Sequence, residues 1–295
     1  MSDRLDLRLR TLLPALYQET YESVQPVSMG SAGLKYGADG RVAWDEIWQT
    51  FCDLALAGGP PHRGTLLEPA APADVSRHPA EHAAVVAEIC RGIGMATGLP
   101  AAPAPHAGWV RVACDRERTA AWLLRAIVTE NISARREGSW LDVPAGPHYR
   151  VQKEVKNVIT SMAKTCHYWS GHIPDEQRDQ IADLLVTMEL ESPLVVPFRD
   201  DQPDAPATGL EHAAETLAAG VTAALGLPAT PIGSRGWVGV DCGDVARAVR
   251  MMRALAVENV LTRREETRVC VPVHPHRDPG GRAVIAALTR VAALA

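Results

Sequence analysis

The stretch GWVRVACDRERTAAWLLRAIVTENISARREGSWLDVPAGPH, residues 108–148, recurs in the same chain as GWVGVDCGDVARAVRMMRALAVENVLTRREETRVCVPVHPH, residues 236–276. With a constant offset of 128 and no gap, 17 of the 41 aligned positions are identical, whereas unrelated segments would share only a few. Upstream, EHAAVVAEICRGIGMATGLP (81–100) matches EHAAETLAAGVTAALGLP (211–228) with a two-residue gap. The period is longer than the roughly 20–50 residues of solenoid modules, so it predicts a duplicated subdomain.

Each copy is predicted to alternate helices with strands. Apolar periodicity in the first copy predicts helices at 45–57, 78–95 and 118–137 and strands at 65–69, 109–114 and 140–144. Strands that alternate with helices of this length favour βαβ units. We therefore predict the α/β class, with tandem-duplicated layered α/β subdomains packed as an intramolecular pseudo-dimer, because a duplicated subdomain can pack as a C2 dimer does.

The repeat also predicts the domain organisation. Residues 1–40 lie outside it and are expected to form an N-terminal extension, with a helix from Leu5 to Tyr21 and then a Gly-rich segment. The first α/β repeat is expected at 41–170 and the second at 171–295.

Composition excludes several classes of protein. The 295-residue chain has a formal net charge of −5, which argues against a nucleic-acid partner because that function requires a concentrated basic face. No uncharged apolar run reaches the roughly 18 residues of a membrane span, and the N-terminal MSDRLDLRLR has no apolar signal-peptide region. The six cysteines are widely spaced without a CxxC pair and are read as reduced thiols. We therefore expect a cytoplasmic protein without a membrane partner, and association into a homo-oligomer stays open.

Lysine is distributed unevenly. The chain has 4 lysines and 26 arginines, and three of the lysines fall within KEVKNVITSMAKTCHYW, residues 153–169. On a helix of about 100° per residue, one face carries a polar set that we call the lysine stripe: Lys153, Lys156, Asn157, Thr160, Lys164 and His167. In the second copy, Gly281, Val284 and Ala292 stand where the first copy has its lysines.

The lysine stripe has two interpretations. A solvated helix face is the common one. However, the other helices of this chain carry arginine, and lysine differs from arginine in being compact and able to lose its proton when buried. The sequence therefore favours a stripe that faces a ligand cleft, and its natural complement is an anionic small molecule.

Two other segments are predicted to complete the cleft. GGPPHRG (58–64) contains His62 and Arg63, and its counterpart in the second copy is aligned as MELESPL (188–194). SMGSAGLKYG (28–37) contains Lys35 but lacks the spacing of a phosphate-binding P-loop. We interpret it as a flap that brings Lys35 towards the cleft.

These segments give a candidate site. The candidate catalytic residues are Lys156, Lys164, His167 and His62: one lysine would be desolvated and deprotonated near neutral pH, and one histidine would act as acid or base. The candidate ligand-binding residues are Lys35, Arg63, Lys153, Asn157 and Ser161.

Several charged and aromatic residues recur in both copies. They include Trp109/Trp237, Glu130/Glu258, Asn131/Asn259, His148/His276 and the Arg-Arg-Glu triplets at 135–137 and 263–265. Two copies of a site, or one composite site, would explain them, but packing and helix-surface ion pairs of about 0.3–0.5 kcal/mol also explain them and are favoured. Asparagine is a poor residue within a helix, so its recurrence predicts a specific partner, such as one across the pseudo-dimer interface.

The sequence predicts no metal site. CHYWSGH (166–172) and CVPVHPH (270–276) contain ligand types, but neither spacing matches a closed structural zinc site. The identity of any cofactor stays unknown.

Two functions remain open. The first is an enzyme or ligand-binding protein that acts on an anionic small molecule held in one cleft by the stripe of the first repeat. The second is a non-catalytic interaction or assembly subunit that uses the same stripe to dock an acidic partner.

Overall fold

The computed structural model describes residues 3–18, 33–47, 52–198, 209–233 and 236–292. The chain divides into two compact units. The central unit comprises Pro26–Ala55 and Gly59–Pro174, and the terminal unit comprises Met1–Gln25, Leu56–Gly58 and Asp175–Ala295. The N-terminal helix, which the sequence sets apart as an extension, thus belongs to the terminal unit.

Both units combine helices with a sheet, so the prediction of a fold that mixes helices and strands is confirmed. The helices are α1 (Asp3–Leu12), α2 (Pro72–Arg77), α3 (Pro79–Thr97), α4 (Glu117–Thr129), α5 (Lys156–His172), α6 (Asp175–Glu191), α7 (Leu210–Leu225), α8 (Val245–Val257) and α9 (Arg282–Ala292). The strands are β1 (Ala101–Pro103), β2 (Trp109–Ala113), β3 (Arg135–Glu137), β4 (Trp140–Pro144), β5 (Ala229–Pro231), β6 (Trp237–Asp241), β7 (Arg263–Glu265) and β8 (Arg268–Pro272).

Each sheet is four-stranded and antiparallel. The strand orders are β1-β2-β4-β3 in the central unit and β5-β6-β8-β7 in the terminal unit. The registers correspond at an offset of 128, since Trp109 pairs with Pro144 and Trp237 with Pro272. The packing of the two halves about a pseudo-twofold axis stays a prediction.

The antiparallel pairing corrects the expected βαβ units. The strands on either side of α4, β2 and β4, pair antiparallel, because the chain after α4 first forms β3 and then reverses in a tight hairpin into β4. Gly138, with φ 57°, lies in that hairpin, where a left-handed backbone suits glycine.

The predicted helix at 118–137 is too long. Helix α4 ends at Thr129, and Asn131 follows with φ 60°, a left-handed conformation that asparagine tolerates better than most residues. The Asn131 side-chain amide donates to the Arg63 carbonyl oxygen (2.7 Å). In the terminal unit, Asn259 also has φ 60° and donates to the Ser192 carbonyl oxygen (2.6 Å). Each asparagine thus has the predicted specific partner, but within its own unit.

Other predicted elements are confirmed or shortened. The helix at 78–95 and the strands at 109–114 and 140–144 are confirmed as α3, β2 and β4. The strand at 65–69 is reduced to a single parallel bridge from Leu67 to Ile132.

The predicted helices at the start of the chain also change. The helix from Leu5 to Tyr21 ends at Leu12 and is followed by a 3-10 turn at Ala15–Tyr17, because Pro14 cannot donate the hydrogen bond that would continue it. Residues 19–21 lie outside the described residues. Of the helix predicted at 45–57, residues 48–51 lie outside the described ones, and Ala55–Ala57 forms a 3-10 turn.

The bridges also correct the alignment of the upstream segments. Leu67 bridges to Ile132, and Val195 bridges to Val260, so Leu67 corresponds to Val195 at the same offset of 128. The pairing of GGPPHRG with MELESPL, which uses an offset of 130, is therefore displaced by two residues.

Helix α4 lies at the centre of its unit, with every residue from Thr119 to Thr129 buried. Trp122 of α4 packs on Trp169 of α5, with the ring centroids 5.3 Å apart. Ile159 of α5 contacts α3, where a Cβ on Gly92 would come within 2.2 Å of Ile159 Cδ1. These contacts fix the rotation of α5 about its axis.

Packing also explains the shared tryptophans and arginines. The guanidinium of Arg135 lies 4.6 Å from the ring centroid of Trp109, and that of Arg263 lies 4.9 Å from Trp237, within the range of a cation–π contact. Both tryptophans are buried. The structural interpretation of these recurring residues is therefore favoured.

No helix among the described residues is both long enough and apolar enough to cross a membrane.

Candidate functional site

The lysine stripe does not form a uniform solvated face. Thr160 and Lys164 are buried, Lys156 is half-buried, and Lys153 and His167 are exposed. Lys153 lies in a π-helical turn at Val151–Val155 that precedes α5. Residue spacing differs from 100° in such a turn, so the helical wheel does not apply to Lys153.

Lys164 forms a buried ion pair that the sequence did not predict. Its Nζ lies 2.9 Å from Glu130 Oε2, and both side chains are 0% exposed. Nζ also donates to Cys52 Sγ (3.0 Å), to the Asp53 carbonyl oxygen (3.1 Å) and to the Pro60 carbonyl oxygen (3.4 Å). The charge of Lys164 is thus neutralised inside the protein.

Glu130 ties the segments 52–55 and 59–62 to α5. Its Oε1 accepts from the Ala55 backbone N–H (3.0 Å), and its Oε2 accepts from the His62 backbone N–H (3.2 Å). The Tyr168 hydroxyl on α5 adds a hydrogen bond to the Cys52 carbonyl oxygen (3.2 Å). The pair therefore organises a loop over the polar side of α5.

Electrostatics keep the proton on Lys164. Burial raises the pKa of Glu130, and the Lys164 ammonium offsets this only in part. Burial opposes the charge of Lys164, but Glu130 and Cys52 outweigh it and raise the pKa of Lys164. This is the opposite of the lowered pKa that a deprotonated catalytic lysine requires. Burial also raises the pKa of Cys52 despite the adjacent Lys164, so the thiol keeps its proton.

His62 lies against the same face of α5. Its Nδ1 is 3.4 Å from Thr160 Oγ1, and that hydroxyl donates to the Asn157 carbonyl oxygen (3.2 Å). When the hydroxyl proton goes to Asn157, Oγ1 accepts from Nδ1–H, and this arrangement assigns the lone pair of the imidazole to Nε2. Among the described residues, Nε2 is shielded from solvent and has no hydrogen-bond partner.

His62 is a neutral imidazole at neutral pH. Burial, followed by the charges of Lys164 and Lys156, lowers the pKa of His62 well below 6.5. Ser161 is also buried, and within the described part of the chain its hydroxyl has no hydrogen-bond partner. The site thus contains the unused acceptor Nε2 of His62 and, close to it, the half-buried Lys156.

The other predicted site residues lie apart from this cluster or at its margin. Lys35 is exposed. Arg63 is half-buried and donates to the Thr65 carbonyl oxygen (3.4 Å). His167 is exposed, and its Nε2 lies 3.1 Å from His172 Nε2. Of the predicted set, the structure thus brings His62 close to Lys156 and Lys164, and Asn157 and Ser161 lie on the same helix.

Sequence reasoning missed Cys52 and favoured a structural role for Glu130 over a place in a recurring site. The available signal was an asymmetry: Glu130 recurs as Glu258, but the residue that corresponds to Lys164 is Ala292. Because the carboxylate recurs and its lysine partner does not, the glutamate must have a different partner in each copy.

A cavity of about 650 Å³ lies in the terminal unit and not beside the lysine stripe. Its lining includes Glu211, Glu215, His212 and Trp237. Two carboxylates disfavour an anionic ligand there.

No family model, no curated protein and no solved structure matches the chain.

Proposed function

We propose that the central unit binds an anionic small molecule at the polar side of α5, next to Lys156 and His62, and that the protein acts as an enzyme or ligand-binding protein. The proposal is carried by one observation, the shielded Nε2 of His62 without a partner among the described residues. A buried acceptor left without a hydrogen bond costs about 1–3 kcal/mol. A ligand that donates to Nε2 would recover that free energy.

The charges of Lys164 and Lys156 indicate the class of ligand that the site would bind. Lys164 is neutralised by Glu130, so its role is to position the loop that carries His62. Lys156 is half-buried and close enough to His62 to lower the pKa of the imidazole. The matching ligand is an anion that also carries an O–H donor, such as monohydrogen phosphate.

The same geometry supports proton transfer. A neutral imidazole with an available Nε2 is a base, and an anion bound beside it raises its pKa. His62 would take the ligand proton while Lys156 holds the negative charge. The reaction class we propose is therefore general-base catalysis on an anionic substrate.

The internal duplication and the cytoplasmic location are part of the proposal. Duplication is supported by the 17 identities in 41 positions and by sheets with equivalent strand order and register. A reducing compartment is supported by the six cysteines, all of which are free thiols.

The test is a calorimetric titration of the full chain with inorganic phosphate and, separately, with sulfate at pH 7. Sulfate has no O–H to donate, so we expect phosphate to bind more tightly. Lys156→Ala and His62→Asn should each weaken phosphate binding about tenfold or more, since a charge-assisted hydrogen bond contributes about 1.5–3 kcal/mol.

The matched control is Lys153→Ala, three residues earlier and exposed. It should leave phosphate affinity nearly unchanged, because exposed charges contribute little. Equal losses in Lys153→Ala and Lys156→Ala, with no preference for phosphate over sulfate, would indicate a general basic docking surface and contradict the proposal.

A further inference from the structure

Three side chains of the central unit converge at a place separate from the Glu130–Lys164 pair. One ligand atom from each of Asp74, His78 and His148 lies within 4.8 Å of the other two. Asp74 Oδ2 is 3.6 Å from His148 Nε2, and the rings of His78 and His148 have centroids 4.9 Å apart at 68°. The 3.6 Å separation between Asp74 and His148 is longer than a hydrogen bond and lies within the distance of a His–Asp ion pair.

The first two residues are placed by a helix end. Asp74 lies in α2, and His78 caps that helix, its backbone N–H donating to the Asp74 carbonyl oxygen (3.1 Å). A spacing of four residues puts both side chains on one helix face. Pro79 then begins α3, which fixes the backbone on the other side of His78.

The third residue comes from the loop after β4. The Ala70 backbone N–H donates to the Ala145 carbonyl oxygen (3.0 Å) and joins this loop to the segment before α2. The Tyr149 backbone N–H donates to the Gly146 carbonyl oxygen (3.0 Å) and closes the turn that contains His148. Both segments are therefore held in place by their backbones.

Two imidazoles and one carboxylate form a donor set for a transition-metal ion. Tetrahedral zinc binds such ligands at about 2.0–2.2 Å, which places ligand atoms roughly 3.3–3.5 Å apart. The 3.6 Å between Asp74 and His148 is close to that separation. The other carboxylate oxygen, Asp74 Oδ1, accepts from Arg77 (3.1 Å), and a contact of this kind orients a metal-binding carboxylate.

The surroundings leave room for water on the metal. The side chain of His148 is 66% exposed and that of Asp74 is 25% exposed. Three protein ligands with an open position are typical of a zinc site that keeps a water molecule.

We propose that Asp74, His78 and His148 bind one divalent transition-metal ion of the zinc class. From the sequence, no metal site is predicted. The three ligands escape that prediction because they are spread over 75 positions and form no compact motif. The proposal does not depend on the anion site next to His62.

The experiment is a calorimetric titration of the metal-free full chain with Zn²⁺, repeated with Co²⁺ to record the visible absorption of the bound metal. We expect one equivalent per chain. His78→Ala, His148→Ala and Asp74→Asn should each lower the affinity for Zn²⁺ at least about tenfold. Removal of a residue that only supports a metal ligand already lowers metal affinity by about 10–100-fold. Because His148 is largely exposed, His148→Ala should retain the fold, which circular dichroism checks.

Two control variants test the location. His276→Ala removes the exposed residue that corresponds to His148 in the second copy, and His172→Ala removes one member of the other close histidine pair. Both should retain the site. Absence of saturable Zn²⁺ binding, equal affinity in His148→Ala and the unaltered chain, or loss of binding in His172→Ala would each overturn the proposal.

Discussion

Glu130 in the central unit and Glu258 in the terminal unit occupy equivalent sequence positions, yet their partners differ. Each caps the C-terminus of its helix and precedes an asparagine at φ 60°. Glu130 pairs with Lys164, and both side chains are 0% exposed. Glu258 pairs with Arg290 at 2.5 Å, and the arginine side chain is 57% exposed. A recurring residue therefore does not imply a recurring role, because the partner and its burial decide what the residue does.

The largest expected difference between the units is in stability. Glu130→Gln leaves the Lys164 ammonium buried without its carboxylate and should destabilise the protein by about 3–5 kcal/mol. Glu258→Gln should cost less than about 1 kcal/mol, since its partner is exposed to solvent. Urea unfolding of the full chain measures both, and equal losses would contradict the comparison.

The reciprocal variant, in which Lys164 is replaced, tests the same ion pair through the pH dependence of stability. Lys164→Met leaves Glu130 buried, and burial raises the pKa of that carboxyl group. A folded-state pKa above the unfolded value means that the folded state binds the proton more tightly, so stability rises as pH falls through the folded pKa and down to the unfolded one. The destabilisation by Lys164→Met should therefore shrink on acidification. A loss that is independent of pH would show that Glu130 does not take up the proton.

The shared asparagines should respond alike in both units. Asn131→Ala and Asn259→Ala each remove a hydrogen bond to a carbonyl oxygen and place alanine at φ 60°. We expect each to cost about 2 kcal/mol, from left-handed strain of about 1–2 kcal/mol and a lost hydrogen bond of about 1 kcal/mol. Asn→Gly at the same positions is the control, since it removes the hydrogen bond without the strain. A large effect in only one unit would contradict a common backbone role.

The smallest expected effect concerns acid stability. The pKa of His62 is lowered by burial and by two lysines, so the unfolded chain takes up a proton first as pH falls below about 6.5. The stability that depends on neutral His62 is present above that pH and declines by up to about 1.4 kcal/mol per pH unit below it. His62→Asn should remove this slope, whereas His106→Asn at an exposed position should retain it. Equal slopes in the two variants would disprove the role assigned to His62.

Local sequence patterns predicted those helices and strands that are determined by their own residues. Apolar periodicity located β2, β4 and α3 because each of them buries its own apolar side chains. The same periodicity continued past the end of α4, since it does not register a single asparagine at φ 60°. The residues after Asn131 then formed β3 through pairing with β4, which a helical pattern does not report.

The candidate site was predicted only in part. Helical spacing grouped Thr160 with Lys164, and the structure places His62 of the Gly/Pro-rich loop 3.4 Å from the Thr160 hydroxyl. The ion pair joins residues 34 positions apart on two helices, and Cys52 reaches Lys164 across 112 positions. Such contacts depend on how α4, α5 and the loop pack, so a helical wheel indicates a polar face without indicating what neutralises it.

A double-mutant cycle on each ion pair tests the central claim most directly. The four variants of the first cycle are the unaltered chain, Glu130→Gln, Lys164→Met and the double replacement, and the second cycle uses Glu258→Gln and Arg290→Met. We expect a coupling free energy of about 2–3 kcal/mol for the buried Glu130–Lys164 pair and less than about 1 kcal/mol for Glu258–Arg290. Similar coupling in the two cycles would contradict the conclusion that the recurring glutamate forms a buried ion pair in the central unit and a solvent-exposed one in the terminal unit.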